Sequence, residues 1–235
     1  MGVVMGGLYT LLQPFVDFIF PPTCLVCRTV LEEEDRHLCR QCWNSIPIVT
    51  RSHRVYSETK AKLTGEGIVT DLASLFLFEK EGAFQALAHA LKYEGFQSAG
   101  RMVGGALGEQ MLAWGIAADF LVPVPLHKAK LRERGFNQAE SIARGISDVT
   151  GWQVCDALKR KRYTRTQTKL NTEERKKNME DAFDIPDRKR DVLKGRRCVI
   201  VDDVITTGAT ILACAAAIRE SEAVSVIACS AALAE

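Results

Sequence analysis

CVIVDDVITTGATI, residues 198–211, decides how the rest of this chain is read. Four apolar residues, Cys198 to Val201, form an uninterrupted run of the kind found in buried parallel strands. Asp202 and Asp203 end that run, Thr206, Thr207, Gly208, Ala209 and Thr210 form a turn, and a helical pattern starts behind it. Ligands of open parallel sheets bind beyond the carboxyl ends of the strands, where loops meet helix N-termini. Unpaired backbone N–H groups and the helix dipole favour a phosphate there, Gly208 lets the backbone come close, and the threonines add hydroxyl donors. An ionised aspartate only accepts hydrogen bonds, so the adjacent pair suits two sugar hydroxyls, held directly or through a divalent cation such as Mg²⁺. Phosphate and vicinal diol side by side describe a ribose 5-phosphate. A second reading is plain helix capping by Asp or Thr. One cap needs one such residue, whereas five of the nine positions from Asp202 to Thr210 are Asp or Thr. The other common phosphate loops, G-x-x-x-x-G-K-[ST] and a strand-borne G-x-G-x-x-G, do not occur.

Outward from this stretch, strand and helix patterns alternate. LASLFLF (72–78), DFLVPVPL (119–126) and AVSVIACS (223–230) read as strands. AFQALAHALKYEG, AGRMVGGALGEQMLAWG, FNQAESIARGISDVTG and GATILACAAAIRES read as helices. Such alternation predicts an α/β fold, a mainly parallel sheet with helices on both faces. Residues 47–66 are polar and weakly patterned, so 51–70 is expected as a linker between a module at 1–50 and a main domain at 71–235.

The N-terminal module has its own signal. In CLVCRTVLEEEDRHLCRQC, Cys24 and Cys27 precede Cys39 and Cys42 by an eleven-residue gap that a two-stranded hairpin can fill. Two Cys-x2-Cys knuckles complete a tetrahedron around zinc, with His37 as a substitute ligand nearby. A segment this short buries too little to fold alone, and structural zinc supplies roughly 10 to 16 kcal/mol of apparent binding free energy. Residues 8–20 carry apolar side chains at helical spacing and are expected as a short amphipathic helix.

Composition sets the outer bounds. At 235 residues, with 47% apolar and 26% charged, the chain is neither fibrous nor disordered. Net charge is only +2, but basic residues crowd into 159–177 and 188–197, as a solvated surface or as a contact for polyanions. The apolar N-terminus has no basic leader and is interrupted by Pro14 and Asp17, so no export signal or membrane span is expected and the cytoplasm is. Eight cysteines in that compartment are metal ligands or apolar core residues rather than disulfides.

VIVDDVITTGATI resembles the signature of type I phosphoribosyltransferases. LKYEG (91–95), VPVPLHKAKLRERGFNQAE (122–140), RKRYTRTQTKLNTEERKKNMEDAF (160–183) and the four-cysteine module are together similar to the competence protein F family, from about Phe15 to the end. The resemblance implies a Rossmann-like type I phosphoribosyltransferase fold behind a zinc module. It implies binding of phosphoribosyl pyrophosphate with Mg²⁺, the two acidic residues on the ribose hydroxyls and the Thr-Gly loop on the 5-phosphate. For many members it implies a part in DNA uptake during natural transformation. It names no acceptor.

Displacement at the sugar C1 expels pyrophosphate, whose charge must be screened. Lys92, Arg132 and Arg134 are candidates for that side, and Arg160, Thr164, Gln167, Arg175 and Asn178 for a segment closing on the site. Asn137 and Gln138 double as capping residues, and Tyr93 and Phe136 are expected as packing residues. Two function classes follow: Mg²⁺-dependent transfer of a phosphoribosyl group, in DNA uptake or in nucleotide salvage, and binding of single-stranded DNA within the uptake machinery without turnover.

Overall fold

The computed structural model describes residues 20–93, 95–160 and 182–235. The expected helix over 8–20 (Phe20 apart) and the candidates Thr164, Gln167, Arg175 and Asn178 lie outside these residues. Helices α1 (Arg40–Asn44) and α2 (Arg54–Thr64) precede strand β1 (Asp71–Leu77), followed by α3 (Ala83–Tyr93) and α4 (Gln97–Ala113). Then come β2 (Phe120–Pro123), α5 (Lys128–Arg134), α6 (Gln138–Thr150), β3 (Gln153–Val154) and β4 (Lys159–Arg160). The chain closes with β5 (Phe183–Asp184), α7 (Asp187–Leu193), β6 (Arg197–Ile205), α8 (Ala209–Arg219) and β7 (Ser225–Leu233).

Five strands form one parallel sheet in the order β1-β7-β6-β2-β3, while β4 and β5 pair antiparallel beside it. Cys198 to Val201 are fully buried, because the middle of β6 is covered on both faces and hydrogen-bonded on both edges. The strand order places the site. From β2 the chain moves out to β3, and from β6 it moves the opposite way to β7. The two connections diverge, which leaves a crevice beyond the carboxyl ends of β2 and β6.

Two close packings shape the faces. Helices α4 and α6 meet through glycine: a Cβ built on Gly104 would lie 2.1 Å from the Ile142 carbonyl oxygen, and one on Gly145 2.1 Å from that of Arg101. Only backbone against backbone fits there. On the other face, the stretch expected as a linker folds as α2, whose Val55, Tyr56 and Leu63 are buried in the core. The Tyr56 hydroxyl donates to the Leu72 carbonyl at 2.7 Å, tying α2 to β1.

The N-terminal module is also joined to the sheet. The Val49 N–H donates to Leu75 O and the Leu77 N–H to Pro47 O, both at 2.8 Å, so the module's exit strand adds to the free edge of β1. Leu38, Cys42 and Ile46 share one core with Phe76 and Phe84, and Trp43 meets Phe76 edge to face with centroids 5.2 Å apart.

Candidate functional site

Asp202 and Asp203 lie inside β6, and the cap of α8 is Gly208, with no side-chain cap bond. Capping therefore does not explain the aspartates. Each uses one oxygen on the next backbone amide: Asp202 Oδ1 accepts from Asp203 N and Asp203 Oδ1 from Val204 N, both at 2.9 Å. These local bonds fix the carboxylates at the strand end. The other oxygen of Asp203, Oδ2, receives Lys92 Nζ at 2.9 Å. Burial and the neighbouring Asp203 charge push the Asp202 carboxyl well above the ordinary carboxylate range, even though the residue keeps a partial opening to the cleft.

The loop behind them turns at Gly208, whose φ of 77° suits glycine alone. A Cβ there would also sit 2.7 Å from Leu63 Cδ2, so α2 buttresses the loop from behind. Thr206 and Thr207 are exposed, and Thr207 Oγ1 accepts weakly from Ala209 N at 3.4 Å. The N-cap of α8, Gly208, has no side chain, so apart from that weak contact no side-chain cap bond is made at the helix start.

The opposite wall comes from the chain after β2. His127 caps α5 through Nδ1 at 3.2 Å from Ala129 N, and Gly135, in the left-handed region, ends it. Asn137 then caps α6, its Oδ1 accepting from Ala139 N at 3.1 Å while its Nδ2 donates to Val124 O at 2.9 Å. Together these elements enclose a cleft of about 190 Å³. Lys92, Lys130, Arg134, Arg160, Asp202, Asp203 and Thr210 line it, with Val124, Pro125 and the amide side chains of Asn137 and Gln138. Four cations and two carboxyl groups share one opening.

Of the residues singled out in the sequence, Asp202, Asp203, Thr210, Lys92, Arg134 and Arg160 come together here. Thr206, Thr207, Gly208 and Ala209 form the adjoining loop. Arg132 is exposed and does not line the cleft, whereas Lys130 does. Helical spacing explains the exchange: Lys130 and Arg134 are four apart and share a face of α5, and Arg132 lies between them on the other side. Arg160, in β4, sits with its guanidinium 5.4 Å from the Phe183 ring of β5, beside the cleft. Tyr93, expected to pack, is 60% exposed, while Phe136 is buried.

The sulfur atoms of Cys24, Cys27, Cys39 and Cys42 all lie within 4.8 Å of one another, a spacing that suits one tetrahedral ion. Side-chain and backbone hydrogen bonds from Thr29 draw the Cys27 thiol down to about 6. Burial opposes ionisation of Cys24, but the backbone N–H groups of Cys27, Cys39 and Val26 outweigh it and lower its value. Burial and the three neighbouring thiols hold Cys42 up. The set fits zinc, whose charge is what allows four crowded thiols to ionise together.

A phosphoribosyl transferase domain model matches residues 131–234, and a double zinc ribbon domain model matches residues 15–54. The chain is 34% identical over 96 residues to competence protein F of Haemophilus influenzae, covering 40% of this chain and 41% of that one. It is 38% identical over 99 residues to DNA utilization protein YhgH of Escherichia coli, covering 40% of each. The aligned segments thus span about two fifths of the relatives' length. Among solved structures, an allosteric regulatory enzyme of purine biosynthesis matches 61% of this chain at 22% identity and a TM-score of 0.41, over 30% of its own length. The glutamine phosphoribosylpyrophosphate amidotransferase of B. subtilis, complexed with ADP and GMP, matches 60% of this chain at 23% identity and a TM-score of 0.42, again over 30% of that chain. The chain thus carries a phosphoribosyl transferase domain behind an N-terminal zinc ribbon, and over two fifths of its length it is similar to competence protein F.

Proposed function

We propose that the cleft binds phosphoribosyl pyrophosphate, or the ribose 5-phosphate end of a nucleotide, and that the protein transfers the phosphoribosyl group in a process serving DNA utilization. One observation carries this reading: two adjacent carboxyl groups, the first turn of a helix whose N-cap is glycine and four cations converge on one crevice beyond β2 and β6. Asp202 and Asp203 would hold the ribose diol, and the loop from Thr206 to Thr210 the 5-phosphate. Lys92, Lys130, Arg134 and Arg160 would face the pyrophosphate. Mg²⁺, when bound, would neutralise charge between the carboxylates and the pyrophosphate. The printed names of the relatives, competence and DNA utilization, support the process.

The purely DNA-binding reading gains less. It rests on the basic run 159–177, most of which lies outside the described residues, and on the zinc module; in the second run, 188–197, Arg190 pairs with Asp184 and Glu220, Lys194 with Glu222 and Arg197 with Asp119, so three of its six cations are engaged within the fold. Calorimetry with phosphoribosyl pyrophosphate and Mg²⁺ tests the proposal. The wild-type chain is expected to bind and the double variant Asp202→Ala, Asp203→Ala to lose at least about tenfold, as loss of hydrogen bonds to charged groups implies. Absence of binding by the wild type, with salt-dependent capture of single-stranded oligonucleotide, would favour the other reading.

A further inference from the structure

His37 stands two residues before Cys39, where a substitute metal ligand was expected, but its ring is engaged elsewhere. Among the described residues the four cysteine sulfurs gather without it, and its Nε2 meets Ser98 Oγ at 2.8 Å. The same ring meets Phe96 edge to face, with centroids 5.2 Å apart. The backbone holds that pose. His37 has a φ of 63°, in the left-handed region that non-glycine residues keep only where their surroundings fix them. One such contact comes from the first knuckle: Leu25 N–H, between Cys24 and Cys27, donates to the His37 carbonyl at 2.9 Å. The imidazole is therefore carried by the cysteine-bearing part of the ribbon.

What it grips is the start of α4. Phe96, the residue before that helix, makes no side-chain cap bond, and Gly95 turns ahead of it at a φ of 75°. This turn gains its anchorage from the ribbon instead. Phe96 packs, half-buried, on the core that joins Cys24, Leu38 and Cys42 to Phe84, Leu87 and Leu91 of α3. Four residues before Phe96, in the last turn of α3, Lys92 reaches Asp203 Oδ2 at 2.9 Å. Leu91 beside it accepts from Gln138 Nε2 at 3.3 Å. The end of α3 is thus tied to the cleft on one side and, through the turn that follows it, to the zinc ribbon on the other. An ammonium on a long stem binds more weakly when its helix end drifts, because each contact must then order that end as well.

We propose that His37 is a positioning residue of the cleft: it pins the turn before α4, and with it the end of α3 that carries Lys92, so that the zinc ribbon sets the strength of the pyrophosphate side. This rests on the phosphoribosyl pyrophosphate reading of the cleft and gives the ribbon a part in it.

Calorimetry on the full, zinc-loaded chain with Mg²⁺ compares phosphoribosyl pyrophosphate with ribose 5-phosphate, which lacks the group that Lys92 would face. His37→Ala is expected to keep a wild-type zinc content, because the four cysteines supply the ligands, and to bind phosphoribosyl pyrophosphate about three- to tenfold more weakly, the range that one hydrogen bond spans. Ribose 5-phosphate is expected to bind both proteins alike. Ser98→Ala is expected to lose as much, the double variant no more than either, and His37→Ala added to Lys92→Ala nothing further. Unchanged affinity in His37→Ala, an equal loss for both ligands, or a loss of zinc overturns the proposal while leaving the reading of the cleft intact. Hydrogen exchange needs no ligand: the amides of residues 90–93 are expected to exchange at least about threefold faster in His37→Ala. Unchanged exchange overturns the positioning role whatever the wild type binds. Faster exchange with no binding of phosphoribosyl pyrophosphate by the wild type overturns the reading of the cleft and, with it, the link to pyrophosphate.

Discussion

Asp202 is a residue that the fold holds at a cost. Burial and the Asp203 charge raise its folded value well above the 3.8 ordinary for an aspartate in the unfolded chain. Between those two values the folded chain carries more protons than the unfolded one, so stability falls as pH rises through that window and the penalty is complete above it. Asp202→Asn is therefore expected to raise the melting temperature at pH 7.5 and to change it little below pH ~3.8, while binding of phosphoribosyl pyrophosphate is lost. Thermal unfolding at the two pH values checks this; an equal loss of stability at both would contradict it. The aspartates were legible in the sequence because the whole donor loop is contiguous, strand to turn to helix. The exposure of Tyr93 was not, since an aromatic at the end of an apolar helical face reads as core until its neighbours are known. Leu63 under Gly208 was beyond reach for the same reason: the two are brought together only by the fold.

Among the elements, the α4 to α6 contact makes the sharpest demand. Gly104→Ala forces a Cβ into the Ile142 carbonyl and is expected to cost about 3 kcal/mol, lowering the melting temperature by roughly 6 to 12 °C. Gly105→Ala, one residue along on the same helix, meets only Val149 Cγ2 at 3.9 Å and is expected to gain about 0.5 to 1 kcal/mol from helix propensity. Parallel thermal melts of the two variants test the contrast; equal effects would mean that the helices can move apart. Sequence periodicity was sufficient for the long strands and helices because each hides a full stripe or run. It was insufficient for α2, which buries only Val55, Tyr56 and Leu63 along its length and presents polar residues elsewhere. The far wall of the cleft was half legible: the basic residues of α5 stood out, but only their position on the helix distinguishes Lys130 from Arg132.

At the scale of the whole molecule, the zinc module and the sheet share one core and are expected to unfold together. Cys24, Cys42, Leu38 and Ile46 belong to the same core as Phe76, Phe84 and Leu107, and His37 Nε2 meets Ser98 Oγ at 2.8 Å. Strong chelation, or Cys42→Ser, is expected to lower the melting of the entire chain in a single transition by several degrees, with far-ultraviolet dichroism and intrinsic fluorescence shifting together. Two separated transitions, the later one at the wild-type temperature, would show the module to be an independent appendage.

The backbone pairing of residues 47–49 with β1 has a cellular consequence. Without the ribbon in place, ASLFLF would present an open, uncharged strand edge of high β-propensity, the kind of segment that recruits other chains. The ribbon leaves the ribosome before the strand it shields. Metal supply at the moment of synthesis is therefore expected to set how much of this protein escapes aggregation, and its abundance in a zinc-starved cell to fall before its messenger does.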